Sequence, residues 1–150
     1  MELDVMDQTK KFALIQKVKD IQRDSPKDKE IVITVDDYFD GNDESCCTIL
    51  ANAGQSSSAT FERFLRQIKN RDDVSNMFIR FYSYDDALDD PDSWINSDTV
   101  FVVTSASFEE VERWFESMEP SSVEEETDLS QFANLPSILS GHKLIAVWWD

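Results

Sequence analysis

The sequence predicts an α+β domain, a mainly antiparallel five-stranded sheet with about three helices packed mostly on one face. Three observations carry this. Short runs rich in β-branched and aromatic residues occur at 30–35, 46–53, 76–83, 99–104 and 143–149. Longer stretches at 9–23, 59–70 and 107–118 repeat their apolar residues with helical spacing. A chain of 150 residues, 41% of them hydrophobic, is sized for one core in a single domain without disulfide or metal staples.

In the first helix Leu14, Val18 and Ile21 fall at i, i+4 and i+7, with Phe12 and Ile15 on the same side. Lys10, Lys11, Lys17, Lys19 and Arg23 take the remaining positions. Asp20, Asp24 and Asp28 dilute that positive charge, so the apolar stripe suits a sheet better than a membrane surface. Ser25-Pro26 stops the helix.

Glu30 to Val35 then reads as a strand and Cys46 to Ala53 as its partner, with Asp40-Gly41-Asn42-Asp43 between them as a hairpin loop. Adjacent Cys46 and Cys47 would point to opposite faces of a strand and are poorly placed to bridge each other. The loop carries Asp36, Asp37, Asp40, Asp43 and Glu44. As an EF-hand beginning at Asp36 it fails, because Tyr38 and Cys47 stand where oxygen ligands are needed.

Gly54 to Ser58 delivers an N-cap before Phe61, Phe64, Leu65 and Ile68, the apolar face of the second helix. Arg63, Arg66, Lys69 and Arg71 lie on or near its outer face, as partners for the acidic loops. Asn76 to Tyr82 forms a third strand and Thr99 to Thr104 a fourth, whose near-continuous apolar run suits a central, doubly covered position. Ser107 and Glu110 make a capping box for the third helix, which continues through Val111, Trp114, Phe115 and Met118 and ends at Pro120.

Residues 119–142 break the composition. They begin with Glu119, Glu124, Glu125, Glu126 and Asp128 and read as a long loop, in which Phe132, Leu135, Ile138 and Leu139 would dock as a short helical piece. Lys143 to Trp149 is the last strand, so Trp148 and Trp149 point to opposite faces, one under the helices and the other under the 119–142 segment or open. An echo 47 residues apart, Ser58-Ala59-Thr60-Phe61-Glu62 against Ser105-Ala106-Ser107-Phe108-Glu109, suggests two strand–strand–helix units.

Charge narrows the function. The net charge is −17, and residues 72–150 alone contribute −15, with three Lys/Arg against eighteen Asp/Glu. Nucleic acid is not an expected partner, since counterion release needs a broad cationic patch, and an anionic membrane is excluded on the same ground. The expected partner is a basic protein, because complementary fields speed encounter and penalise wrong pairings.

The candidate contact residues are Asp85, Asp86, Asp89, Asp90, Asp92 and Trp94, in the acidic loop between the third and fourth strands, with Asp36, Asp37 and Asp40 in the earlier loop. The carboxylates would stand in for phosphates and Trp94 would anchor the centre. All the negative residues after position 72 are expected to project as one face.

No catalytic residue, cofactor or metal site is expected. The single histidine, His142, sits in a polar turn without a nucleophile signature, and three glycines provide no phosphate-cradling loop. The reading is therefore a non-enzymatic, acidic protein-binding domain, most concretely an inhibitor or immunity protein masking the basic surface of a partner such as a nuclease toxin. An acidic regulatory or structural subunit is the first alternative. A divalent-cation-dependent enzyme using the paired carboxylates is the second. The polar N-terminus and lack of a disulfide framework point to the cytoplasm.

Overall fold

The computed structural model describes residues 7–42 and 58–149. Its elements are α1 (Gln8–Arg23), β1 (Val32–Thr34), α2 (Val35–Phe39), α3 (Ser58–Lys69), β2 (Val74–Arg80), α4 (Asp85–Asp89), β3 (Thr99–Thr104), α5 (Phe108–Phe115), β4 (Ser122–Glu126) and β5 (Lys143–Trp148). The five strands form one sheet in the order β1-β2-β3-β5-β4, every neighbour antiparallel. The α+β class is therefore as the periodicities predicted.

The central strand is β3, and all six of its residues are buried. Helices cover one of its faces, where Val100 and Val102 join Ile79, Met77, Ile145 and Val147 in the main core. On the opposite face Phe101 and Val103 join Val32, Phe78 and Leu144 in a smaller second core. That second core is closed by the 129–138 segment, whose Phe132 ring meets Phe101 edge-on at 5.2 Å. Leu135 and Ile138 dock beside it, while Leu139 stays 58% exposed.

Four local expectations are corrected. The strand expected at 30–35 is shorter, because Val35 to Phe39 turn into α2. There Thr34 accepts a hydrogen bond from the Asp37 amide at 3.0 Å as N-cap, and Val35, Tyr38 and Phe39 are buried at i, i+3 and i+4. The acidic run Ser122–Glu126, expected as loop, is β4, an edge strand. An edge with solvent on one side needs only one apolar anchor, here Val123, and its glutamates deter pairing with other chains. Phe12, placed on the apolar side of α1, is 49% exposed, whereas Lys11 beside it is 1% exposed. The loop expected between the third and fourth strands contains α4, which buries Ala87.

Other expectations hold. The Ser107 hydroxyl accepts from the Glu110 amide at 3.2 Å, as the capping box requires. Trp149 lies under the helices against Phe61 and Phe115, and its indole N–H donates to the Met118 carbonyl at 2.8 Å. Trp148 faces the other way and remains 36% exposed. The strand expected at 46–53, with Cys46 and Cys47, lies outside the described residues. Of the two strand–strand–helix units, β2, β3 and α5 follow the second.

Candidate functional site

The segment leaving β2 is pinched at its base. The Tyr82 amide donates to the Asn96 carbonyl at 3.0 Å and the Asn96 amide to the Ser83 carbonyl at 2.8 Å. Within that closure α4 turns, with Asp85 and Asp86 in its first turn, where the partial positive charge of the helix start favours carboxylates. Ala87, Trp94 and Ile95 point inward and are buried to 1% exposure or less. The Ile95 carbonyl accepts from the Tyr38 hydroxyl at 2.9 Å, which ties the segment to α2.

Beneath the turn sits a cation that periodicity had placed in solvent. The Lys11 ammonium donates to the carbonyls of Ala87 at 2.8 Å, Asp90 at 3.2 Å and Ser93 at 3.2 Å. Its three protons thus meet three carbonyl oxygens, which offsets the cost of burying the charge. The carboxylates above are arranged by short local bonds. Asp90 accepts from the Asp92 amide at 2.9 Å and the Ser93 hydroxyl at 3.3 Å, and Asp86 accepts from the Asn96 side-chain amide at 2.9 Å.

The result is a braced turn whose outer surface carries Asp85, Asp86, Asp89 and Asp90, all exposed, around Leu88 at 44% exposure. Among the described residues no lysine or arginine forms an ion pair with any of these four. Asp92 is exposed at the end of the same turn.

The other expected contact residues behave differently. Asp36 pairs with Arg66 at 2.7 Å, Asp37 with Lys17 at 2.8 Å and Asp40 with Lys10 at 2.7 Å. The Arg66 hydrogen bond, then its charge, holds the Asp36 carboxyl below the usual aspartate range. These three carboxylates brace α1, α2 and α3 and are already neutralised. Trp94, expected as the surface anchor, is buried at 1% exposure and belongs to the core. An aspartate-rich neighbourhood disguised it, since a lone Trp in a polar run looks like a surface residue. On the outside of this segment it is Leu88 and Tyr82 that are exposed, at 44% and 61%.

Nor do the negative residues after position 72 share one face. Glu109 and Glu112 are exposed on α5, which packs on the helical side through Val111 and Phe115. Glu124 and Glu126 pair in register with Ala146 and Leu144 and so face the second core's side of the sheet. There they line a cleft of about 330 Å³ together with Trp148, Phe101 and Phe132. At its back Arg80 is held by Glu30 at 2.9 Å and Asp98 at 3.2 Å.

Among the described residues no three His, Cys, Asp or Glu side chains converge as metal ligands. His142 Nδ1 stands 2.9 Å from the Ser75 hydroxyl, while the neighbouring Asp73 is tied by Arg71 through both oxygens, at 3.0 and 3.2 Å. No described helix is long and apolar enough to cross a membrane.

The class defined by this geometry is an α+β domain that displays a braced acidic turn. More particularly, the chain belongs to the YfbO family, described as the uncharacterized protein YfbO family, whose model matches residues 9–147. It is similar to the uncharacterized protein YfbO of Escherichia coli (strain K12), with 28% identity over 130 residues, covering 84% of this chain and 87% of that protein. No solved structure matches it.

Proposed function

We propose that the protein is a non-enzymatic binding domain that covers a basic surface of another protein, most concretely an inhibitor or immunity protein of a basic partner such as a nuclease toxin. The observation that supports this reading is the division among its carboxylates. Asp36, Asp37 and Asp40 are each paired with a cation of the same chain, whereas Asp85, Asp86, Asp89 and Asp90 have none among the described residues. Like charges so close together cost stability, and a cationic partner relieves that cost. The brace from Lys11 and the buried Ala87 hold the turn before any partner arrives, which lowers the ordering entropy lost on binding. Leu88 supplies an apolar centre inside the charged rim.

The test is affinity capture on the immobilised full chain, comparing wild type with the combined Asp85→Asn, Asp86→Asn, Asp89→Asn and Asp90→Asn variant. Wild type should retain a basic protein at 50 mM salt and release it by about 300 mM, a range in which exposed charges become largely screened. The variant should retain at least about tenfold less, a loss of roughly 1.4 kcal/mol. Its own stability should stay within about 1 kcal/mol, since only solvent-facing charge changes. Equal retention by the two proteins sinks the reading.

A further inference from the structure

A cavity of about 780 Å³ opens where the end of α1, the turn at residues 24–31 and the exit of β2 meet. Five of the chain's 14 Lys and Arg residues line it, Lys19, Arg23, Lys27, Lys29 and Arg80, against two carboxylates, Asp28 and Glu30. In a chain with 31 Asp and Glu, cations are expected to be paired, and the two arginines are. Arg80 is held by Glu30 and Asp98, and Arg23 by Asp20 and Asp24. The three lysines are different. None forms an ion pair among the described residues. Lys29 donates to the Ser130 carbonyl and Lys19 lies over the Tyr84 ring at 5.6 Å.

Cations near a helix C-terminus ordinarily answer its dipole, which amounts to about half a unit charge. Three lysines exceed that need, and Lys27 and Lys29 lie beyond the helix. The opposite wall is apolar and aromatic. Ile31 and Phe81 form its floor, and the Tyr82 ring is 61% exposed with the Arg80 guanidinium 5.9 Å from its centre. A pocket of this volume with a few convergent polar groups on an apolar wall has the dimensions of a small-molecule site.

We propose that this cavity binds a small organic phosphate bearing a planar ring, of nucleotide size, with Lys19, Lys27 and Lys29 on the phosphates and Tyr82 against the ring. Mobile ammonium groups suit a compact multivalent anion. An open aromatic face beside apolar side chains suits a stacked ring. The site uses none of the α4 carboxylates, so it stands or falls apart from the binding function proposed above.

Calorimetric titration of the full chain with ADP, UDP, inorganic pyrophosphate and adenosine tests it. ADP or UDP should bind saturably at one site, pyrophosphate about fivefold more weakly, and adenosine more weakly still. The combined Lys19→Gln, Lys27→Gln and Lys29→Gln variant should lose about tenfold in affinity for the diphosphates, and Tyr82→Ala about fivefold for the nucleotides alone. In ¹H–¹⁵N spectra of wild-type protein, shifts on adding ADP should centre on residues 19–31 and 80–82, a readout independent of how the variants fold. No saturable binding of ADP, UDP or pyrophosphate up to about 1 mM overturns the proposal. So do shifts centred elsewhere, or affinities that the lysine substitutions leave unchanged.

Discussion

Lys11 is the residue on which the acidic turn depends, because its ammonium is the shared partner of three carbonyls and lies in a site of 1% exposure. Lys11→Met keeps the length of the side chain and removes the donors. We expect a loss of about 2–3 kcal/mol in urea unfolding, from orphaned carbonyls. Amide exchange should accelerate from residue 87 to 93 and not in β3. Uniform exchange throughout the chain would show that Lys11 supports the fold generally and not the turn.

Asp36 gives a pH signature. Arg66 lowers its folded-state pKa, so its contribution is fully present above the ordinary aspartate value of about 4 and is lost as pH falls through the lowered value. The pair is well exposed, which limits the effect to about 0.5 kcal/mol. Asp36→Asn should therefore be less stable than wild type by that amount at pH 7 and indistinguishable near pH 2. A difference that grows on acidification contradicts this assignment.

Among the elements, the segment between β4 and β5 closes both an open face and an open edge. Phe132, Leu135 and Ile138 cover the second core. Asn134 then occupies the free side of β1, accepting from the Val32 amide at 2.9 Å and donating to the Val32 carbonyl at 2.8 Å. Covering an edge in this way removes a template for pairing with another chain. Asn134→Ala should cost about 1–2 kcal/mol. It should also raise light scattering on mild heating, whereas Leu139→Ala, at an exposed position, should change neither. Phe132→Ala should cost about 3 kcal/mol by cavity formation. If Asn134→Ala leaves scattering unchanged, the edge is protected by something other than this residue.

Across the whole molecule, a net charge of −17 works against compactness, and among the described residues the ion pairs lie mostly with carboxylates before residue 74. Screening the unpaired remainder should stabilise the fold. Raising sodium chloride from 10 to 200 mM is expected to add roughly 1 kcal/mol, a rise in Tm of about 3 °C. A falling Tm would mean that the internal ion pairs outweigh the repulsion.

Periodicity alone was enough for α1, α3 and α5, for the strands around Ile79, Val102 and Ile145, and for the central place of β3, because a core-facing pattern is written locally. It also marked the carboxylates of residues 85–92 as a distinct surface. Strand β4 was illegible, since one inward valine among glutamates has no period to detect. The burial of Lys11 and Trp94, the neutralisation of Asp36, Asp37 and Asp40, and the splitting of the acidic residues between two sides of the sheet were settled only in three dimensions. Each depends on a partner from another segment: the carbonyls of residues 87–93, the cations of α1 and α3, or the strand opposite in the sheet. Contacts between such distant positions leave no trace in local spacing.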